Sequence, residues 1–411
     1  MAESNPLDNP PASSRGYKKI IFIANGLFGE QLAGGDINLL YAIKAVVAAG
    51  WQVEFFGGRV LEHHLKQWNL PAKIIFTDGA NTQSLRNDSL GSQLRLFREF
   101  FRRFLSTLSQ LRSVGSGDII YAASDYWFDV LPAVFSKAKL KVAILHMQAP
   151  SLREVIFRTR PDVVTSRVAS LHYSLSQWLS LTALRFCRNK RVVVVQSLLQ
   201  SALLKRGFQP AEVCLIPNGV EMEAIDVAEQ GPRKYDVVWI GRVHRQKGID
   251  DLLLTLQSLA HEFPDFRALL IGNLKEALAG RAAEMGLTAN VEFPGFVSGV
   301  EKYRLLKSGR VYLMPSRHEG MPIVVCEALA CGLPVVAYEL EMYRPFFGNR
   351  LIYVKPFERD SFCRAALETV RKARAGEKLV NEQDLAEFKK NNSWLETGKR
   401  LVAMLEQANQ Q

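Results

Sequence analysis

The sequence contains no apolar run of the ~18 residues that a membrane-spanning helix requires, so nothing in it predicts a transmembrane segment. Its cysteines are few and scattered: Cys187, Cys214, Cys326, Cys331 and Cys363. That odd, unpaired set argues against a disulfide framework or a zinc site, and it favours free thiols in a reducing compartment. The histidines show no metal-ligand spacing either. We therefore expect a cytoplasmic protein without a bound metal or other cofactor.

Nucleic-acid motifs are also missing. The formal net charge is +11, but no helix-turn-helix, zinc-finger or aromatic-basic RNA motif accompanies it. Neither a Walker A loop nor a G-x-G-x-x-G loop is present, and no repeat of solenoid length is visible. The positive charge instead suits anionic small molecules or an anionic membrane surface. Nucleic acid is not an expected partner.

The sequence does contain a regular alternation of strand-like apolar runs and helical patterns, which predicts an α/β fold with parallel sheets. Its 411 residues favour two domains. The predicted strands of the first are residues 18–24, 53–56, 74–76, 118–122, 141–145 and 191–196. Those of the second are residues 237–240, 268–271, 291–293, 311–314 and 334–337. Residues 222–234, charged and bearing a Gly-Pro pair, are the predicted connection. Polar residues 1–16 are expected to be a disordered leader.

Two glutamates, Glu319 and Glu327, mark the most informative segment, residues 315–334. It is typical of a strand end, a polar loop, a short helix, a glycine stop and another strand. Pro322 suits the first helical turn, and Gly332 suits the position just past the helix. Glu327 is the one charge in an otherwise apolar helix, and a buried carboxylate is costly unless something satisfies it. A polar ligand or backbone donors can do so, and we favour the ligand.

A second segment, residues 236–254, has a strand-like run that ends in Gly241, followed by a cationic loop, Gly248 and a helical pattern. The cations and the histidine of the loop are Arg242, His244, Arg245 and Lys247. Such a loop before a helix forms a phosphate site, because backbone amides and side-chain cations converge there. By itself the loop is equally compatible with a solvated basic surface.

Together these segments resemble the family 4 retaining glycosyltransferases. That family has the GT-B architecture, two facing Rossmann-like, doubly wound domains with a cleft between them. The resemblance rests on Gly241-Arg242 with Lys247-Gly248, and on the Glu-x7-Glu pair. Three further elements agree with it: Gly34-Gly35, the Ile-Pro-Asn-Gly-Val of residues 216–220, and the Asn-Ser-Trp of residues 392–394. Gly34 and Gly35 are expected in a glycine-rich loop that precedes a helix at residues 37–49.

The resemblance implies an acceptor domain over residues 17–221 and a nucleotide-sugar domain over residues 222–393. Residues 394–411 would form a closing helix that packs back on the first domain. The implied activity is transfer of a hexosyl group from a nucleoside diphosphate sugar to a saccharide or lipid-linked acceptor, in polysaccharide or glycolipid biosynthesis. The family retains the sugar's configuration and needs no metal.

The resemblance also implies roles for individual residues. Arg242 and Lys247 would neutralise the departing diphosphate, Glu319 would lie beside the donor sugar, and Glu327 would bind the ribose. His146, at a predicted strand end, would contact the sugar, although a lone histidine there is otherwise more often structural. The expected catalytic residues are Glu319, Arg242, Lys247 and His146. The expected donor-binding residues are Glu327, Gly34, Gly35, Gly241, Phe296, Val297, Gly320, Met321, Pro322 and Ile323.

One turn departs from the family. After the strand at residues 334–337 the family often has paired glycines and then a glutamate, whereas this sequence has Tyr-Glu-Leu-Glu-Met-Tyr-Arg at residues 338–344. The motifs therefore do not identify the sugar.

Residues 94–111 form a basic amphipathic pattern. Its apolar stripe consists of Leu94, Phe97, Phe101, Phe104, Leu108 and Leu111, and its arginines are Arg95, Arg98, Arg102 and Arg103. Such a helix can lie on an anionic bilayer, which would make the protein peripheral on the inner face of a membrane. It can also face the core with a solvated basic back, and this is the arrangement we predict. Residues 158–191, with Trp178, are a second candidate of the same kind.

Two other functions are compatible with these motifs. One is a non-catalytic subunit that binds nucleotide sugar, although the presence of both Glu319 and Lys247 speaks against it. The other is a nucleotide-sugar epimerase of the same architecture.

Overall fold

The computed structural model describes residues 18–26, 34–78, 90–157 and 166–410, together with residues 32 and 159. The predicted leader, residues 1–16, lies outside the described residues, as do seven positions of the 158–191 stretch, residues 158 and 160–165. Within the described ranges the chain forms two parallel sheets, each flanked by helices. The predicted α/β fold with two Rossmann-like domains is confirmed.

The first sheet has seven strands among the described residues, in the order β3-β2-β1-β4-β5-β6-β7. They are β1 (Lys19–Ala24), β2 (Gln52–Gly57), β3 (Lys73–Phe76), β4 (Ile119–Ala122), β5 (Leu140–Leu145), β6 (Lys190–Val194) and β7 (Val213–Leu215). The helices are α1 (Gly34–Ala48), α2 (Arg59–Gln67), α3 (Leu90–Gln110), α4 (Trp127–Phe135), α5 (Leu152–Phe157), α6 (Arg167–Phe186) and α7 (Ser197–Lys205). The strand order reverses between β1 and β4, which in such sheets opens a crevice outside the carboxyl ends of the strands.

The second sheet has six strands in the described part, in the order β10-β9-β8-β11-β12-β13. They are β8 (Tyr235–Ile240), β9 (Ala268–Ile271), β10 (Val291–Gly295), β11 (Gly309–Met314), β12 (Val335–Tyr338) and β13 (Ile352–Val354). The helices are α8 (Met222–Val227), α9 (Ile249–Glu262), α10 (Lys275–Glu284), α11 (Gly299–Lys307), α12 (Ile323–Ala330), α13 (Tyr343–Phe347), α14 (Arg359–Arg374), α15 (Glu382–Asn391) and α16 (Trp394–Gln410). Here the order reverses between β8 and β11, the two strands that lead into the glycosyltransferase-like motifs.

The predicted strands lie within one to three residues of the observed ones, but β7 and β13 were missed because each has only three residues. Gly34 and Gly35 were expected in a loop before a helix at residues 37–49, and that detail is wrong. They are the first two residues of α1. The central strands are buried on both faces, as parallel strands covered by helices require.

Helix α16 packs on α1 of the first domain, and its start is hydrogen-bonded to the segment that connects the two domains. The amide of Val220 donates to the carbonyl of Asn392 at 2.9 Å, and the amide of Trp394 donates to the carbonyl of Val220 at 3.1 Å. The Trp394 ring stacks on Tyr41 of α1, with centroids 4.5 Å apart. Two of the recognised motifs, residues 216–220 and 392–394, are therefore hydrogen-bonded to each other.

Helix α3 corrects the prediction of a core-facing stripe. Leu94, Phe97 and Phe101 are exposed, whereas Phe104 and Leu108 are half-buried. The buried face of α3 instead carries Arg103 and Thr107 together with Phe100. A search of the described helices finds none with the length and apolar character to cross a membrane.

Candidate active site

The two motif loops follow neighbouring strands, β8 and β11, and lie against each other. Gly248 has a left-handed backbone, with φ of 64°, and any Cβ there would collide with the carbonyl of Pro315. The amide of Arg317 donates to the carbonyl of Gln246 at 2.7 Å. A glycine is therefore required at position 248 both for its conformation and for this close approach.

Lys247 and Glu319 form an ion pair across these loops. The Lys247 Nζ lies 2.7 Å from Glu319 Oε1, and both side chains are largely shielded from solvent. Breaking such a pair by removing one partner leaves a poorly solvated charge, which is costly. The structure thus brings together two of the four expected catalytic residues and holds each in place with the other.

Arg242 lies in the same loop, with its side chain exposed. Within the part of the chain that the structure describes, its guanidinium makes no hydrogen bond or ion pair. Burial, and then the charges of Arg242 and Lys247, lower the pKa of neighbouring His244. The loop is therefore a cationic site in which the Arg242 guanidinium remains available to an anion.

Residues of the first domain complete the site from the opposite side. A Cβ on Gly320 would lie 2.7 Å from the carbonyl oxygen of His146, so the loop after β11 packs directly on the end of β5. A Cβ on Gly34 would lie 3.4 Å from Ile323 Cδ1, and one on Gly35 would lie 3.5 Å from His146 Nε2. Five expected site residues, three from one domain and two from the other, therefore meet here.

The His146 imidazole is shielded at this junction. Burial lowers its pKa to about 4. The side chain is therefore neutral at pH 7 and can donate from one ring nitrogen and accept at the other. It suits a hydrogen-bonding role towards a sugar hydroxyl more than a role as a cation.

Glu327 lies on the buried face of α12 and is satisfied by side chains, which the sequence did not anticipate. Lys302 Nζ lies 2.6 Å from its Oε1, and the Tyr303 hydroxyl oxygen lies 3.1 Å from the same oxygen. Burial opposes the charge of Lys302, but Glu327 and then Glu221 outweigh it and raise the pKa of the lysine. Glu327 is therefore a carboxylate held by a cation and a phenol.

The residues that connect Glu327 to the link between the domains were not among the predicted site residues. Tyr303 donates to Glu221 Oε2 at 2.8 Å, and Tyr41 of α1 donates to Glu221 Oε1 at 2.8 Å. Burial, followed by the charges of Glu327 and Glu221, raises the pKa of Tyr303 well above its usual range. The position of Glu221, directly after the 216–220 motif, was the available signal.

The 216–220 motif contacts both domains through Asn218. Its Oδ1 accepts from Asn38 Nδ2 at 2.7 Å, and its amide lies 3.4 Å from the sulfur of Met321. Met321 and Pro322 are buried and precede α12, which begins at Ile323. Pro322 was expected within the first helical turn, but it is the residue immediately before that turn. The carbonyl of Pro322 accepts from the amide of Val325 at 3.0 Å, and the amides at the start of a helix carry partial positive charge.

The remaining expected donor residues occupy two places. Gly241 directly follows β8, and a Cβ there would collide with the Trp239 ring. Phe296 and Val297 follow β10, the edge strand, which is separated from β8 by β9. Phe296 is exposed and Val297 is half-buried. The structure therefore places these two at the side of the site and not beside Lys247 and Glu319.

The turn that departs from the family has a structural role in this chain. The Tyr338 hydroxyl donates to Asp251 at 3.0 Å, and Arg317, two residues before Glu319, lies 3.0 Å from the same carboxylate. Burial opposes ionisation of Asp251, but hydrogen bonds from Arg359 and Arg317 lower its pKa overall. Tyr338 thus helps to anchor the loop that carries Glu319.

Comparison with known proteins agrees with this arrangement. Residues 223–381 match the model of the family described as glycosyl transferases group 1. Phosphatidyl-myo-inositol mannosyltransferase of Mycobacterium tuberculosis (strain CDC 1551 / Oshkosh) is 29% identical over 229 residues, which cover 52% of this chain and 60% of that protein. The match thus spans less than two thirds of that relative's length.

Solved structures match nearly the whole chain. Sucrose-phosphate synthase from Thermosynechococcus elongatus superposes with a TM-score of 0.69 at 17% identity, covering 95% of this chain and 98% of the other. HepE of Anabaena, solved in complex with UDP and glucose, superposes with a TM-score of 0.68 at 16% identity, covering 95% of this chain and all of the other. These likenesses show the fold. The chain therefore has the GT-B fold, and its residues 223–381 match the group 1 glycosyl transferases.

Proposed function

We propose that this protein is a retaining, metal-independent glycosyltransferase that moves a hexosyl group from a nucleoside diphosphate sugar to a saccharide or lipid-linked acceptor. The observation that carries the proposal is the junction of the Lys247–Glu319 pair with His146 through Gly320. Cations, a neutral histidine and a helix N-terminus lie in loops that follow the strands at the switch points of both sheets, where α/β proteins bind ligands.

Arg242 and Lys247 are the proposed clamp on the departing diphosphate. Glycosyl transfer develops negative charge on that leaving group, and cations already in position stabilise it without reorganisation. Arg242 is available for two parallel hydrogen bonds to phosphate oxygens. Lys247 supplies a single positive charge, and its ion pair with Glu319 fixes the position of that charge. The amides that begin α12 add partial positive charge on the same side. In this proposal these groups do the electrostatic work, without a metal.

Glu319 and His146 are proposed to position the donor sugar. Glu319 Oε1 is engaged by Lys247, which favours a hydrogen-bonding role for this carboxylate over attack on the sugar. The neutral His146 can accept from a sugar hydroxyl or donate to one. Retention of configuration is then proposed to arise from attack on the face that the diphosphate leaves, with a diphosphate oxygen taking the acceptor's proton.

Glu327 is proposed to bind the ribose hydroxyls, with Lys302 and Tyr303 holding its carboxylate. Gly34, Gly35 and Gly241 would let backbone approach the donor, and Phe296 and Val297 would contact the base. The acceptor would enter from the first domain. Because the named relative acts on phosphatidyl-myo-inositol, a lipid-linked acceptor and peripheral contact with an anionic membrane belong to this proposal.

The test is calorimetric binding of UDP, GDP and ADP to the wild type, to Arg242→Ala and to Arg245→Ala. Arg245 is an exposed arginine of the same loop and serves as the matched control. We expect saturable binding of one nucleotide, weakened at least ~30-fold in Arg242→Ala by loss of a charge-assisted phosphate contact, and nearly unchanged in Arg245→Ala. Equal binding by all three proteins would overturn the phosphate assignment.

Transfer is then assayed with the matching nucleotide sugar and a panel of saccharide and glycolipid acceptors. Product that requires an acceptor supports the transferase. An epimerised nucleotide sugar formed without any acceptor would identify an epimerase instead. Nucleotide binding without turnover of any donor would identify the non-catalytic subunit.

A further inference from the structure

The first domain has a large apolar surface that no described residue covers. It is formed by three neighbouring helices, α3, α5 and α6, and we call it the three-helix face. Its exposed apolar residues are Leu94, Phe97, Phe101 and Leu105 of α3, Leu152, Ile156 and Phe157 of α5, and Val168, Leu171, Leu175, Trp178 and Leu179 of α6. Isolated exposed apolar residues are ordinary, but a contiguous patch marks a binding surface.

Both long helices direct a stripe of apolar residues outwards and bury a face of mixed polar and apolar residues. On α6 the residues at positions 168, 171, 175, 178 and 179 share one face. The opposite, buried face of α6 includes Ser174, Ser176, Gln177 and Ser180 together with Leu181 and Leu184. An apolar stripe that points outwards is the reverse of the usual pattern of a helix on a soluble core.

On α3 the cause of the reversal is a buried arginine. Arg103 Nη1 donates to the carbonyl of Asn25 at 2.9 Å, and its Nε donates to Glu99 at 2.8 Å. The Thr107 hydroxyl, also buried, accepts from Asn25 Nδ2 at 3.0 Å. These bonds at the carboxyl end of β1 hold the polar side of α3 inwards, so Phe97 and Phe101 must point away from the sheet.

The two reversed helices meet and make one surface. The Phe97 ring lies 5.9 Å from the His172 ring of α6, and His172 accepts a hydrogen bond from the Trp127 indole at 3.2 Å. Over the three helices the sequence has seven arginines and two glutamates, and no lysine or aspartate. Arg98, Arg153 and Arg167 are exposed beside the apolar residues.

We propose that the three-helix face docks on an anionic lipid bilayer. The aromatic and aliphatic side chains would enter the boundary between headgroups and acyl chains, and the arginines would bind lipid phosphates at headgroup level. Arginine suits this position because its guanidinium pairs with phosphate oxygens while its stem covers apolar surface. The proposal names the surface for the membrane contact included in the proposed function, and its test does not depend on catalysis.

A second copy of the chain fits this face less well. A two-fold dimer would bring the same patch of each copy together, and with it two sets of arginines in like-charge contact. An anionic bilayer satisfies the apolar residues and the arginines at once.

The experiment measures co-sedimentation of the full chain with vesicles of equal parts phosphatidylglycerol and phosphatidylcholine, and with vesicles of phosphatidylcholine alone. We expect the wild type to bind the anionic vesicles, with binding that weakens as salt is raised. Among the six tryptophans, Trp178 is 60% exposed whereas Trp51, Trp127, Trp239 and Trp394 are buried. Its fluorescence should therefore shift to shorter wavelength on binding.

Three variants sharpen the result. The double variant Phe97→Ser/Phe101→Ser should bind anionic vesicles roughly tenfold or more weakly, because two aromatic anchors are lost. Leu395→Ser is the matched control, since Leu395 is as exposed but lies on α16. It should bind like the wild type. Trp178→Phe should keep binding and lose the fluorescence shift.

Three outcomes would overturn the proposal. The first is a wild type that does not bind anionic vesicles at low salt, and the second is a Phe97→Ser/Phe101→Ser variant that binds no more weakly than Leu395→Ser. The third is a self-association of the wild type, seen by analytical ultracentrifugation, that the double substitution abolishes, because the face would then be an interface between copies. Calorimetry of nucleotide binding on the same variants separates the two proposals. Loss of vesicle binding with intact nucleotide binding would leave the transferase proposal unaffected. Loss of nucleotide binding with intact vesicle binding would leave the membrane-docking proposal unaffected.

Discussion

Gly320 of the second domain packs directly on the carbonyl oxygen of His146 in the first, at a distance that leaves no room for a Cβ. The loop that carries Glu319 therefore closes against the strand end that carries the histidine. A side chain at position 320 would have to push the two domains apart at the site itself.

Gly320→Ala should accordingly impair transfer more than it impairs folding. A Cβ would stand 2.7 Å from the His146 oxygen, and a displacement of ~1 Å at a reacting centre can cost on the order of a hundredfold in rate. Steady-state transfer kinetics measure the effect. Gly280→Ala, on α10 with nothing near its Cβ, should leave the rate unchanged. Equal rates in the two variants would mean that the contact does not matter for function.

Substitution of Lys247 and substitution of Glu319 should have different effects on nucleotide binding and on turnover. Lys247→Ala should weaken nucleotide diphosphate binding, because a phosphate-binding charge is lost. Glu319→Gln should keep most of that affinity but lower kcat at least ~tenfold, since the amide cannot hold the lysine electrostatically. Calorimetry and transfer kinetics on both variants provide the measurement. If Glu319→Gln loses affinity and keeps its kcat, the two roles are reversed.

Lys302→Met should destabilise the protein by about 3 kcal/mol, because it leaves the buried Glu327 carboxylate without its cation. Urea denaturation gives the free energy of unfolding. Lys389→Met removes a more exposed pair with Asp226 and should cost under ~1 kcal/mol.

The double variant Lys302→Met/Glu327→Gln carries the discriminating test. Without the buried charge it should regain most of the lost stability, whereas its nucleotide affinity should stay low if Glu327 binds the ribose. Recovery of both quantities would mean that Glu327 is structural only.

His146 predicts a specific pH dependence of stability. Its folded pKa of about 4 lies below the ordinary value of 6.5, so between these values the unfolded chain binds the proton and the folded one does not. Wild-type stability relative to His146→Gln should therefore fall as pH drops from 6.5 towards 4, by up to roughly 3 kcal/mol. Burial raises the pKa of Asp125 to about 6 and that of Asp129 to about 7. Both groups are present in the two proteins, so their contributions cancel. A difference that does not change with pH would show that the imidazole titrates normally.

Much of the site was recognisable before the fold was known because its chemistry is carried by short segments. Gly248 reflects a left-handed turn, and Glu327 is a charge in an apolar helix. Phosphate binding by the cations beside Gly248 stays a prediction. The alternation of strands and helices likewise follows from local periodicity, and only the shortest strands, β7 and β13, escaped it.

The sequence pattern did not predict the residues that pair with these site residues. Nothing near Glu327 in the sequence indicates that Lys302 and Tyr303 neutralise it, or that Glu221 and Tyr41 extend the network to the other domain. Such pairs depend on which helices pack against each other in the fold. The sequence pattern shows only which residues share a face of one helix.

Helix α3 shows the limit most clearly. The sequence by itself determined that residues 94–111 form a basic amphipathic helix, because helical periodicity is a local property. Only the tertiary structure decided which side is buried. Arg103 is paired with Glu99 of the same helix and with Asn25 and Asp78 at the end of the first sheet. The contacts with Asn25 and Asp78 turn the aromatic stripe of α3 towards solvent, because an arginine is buried only when partners from elsewhere in the fold satisfy it.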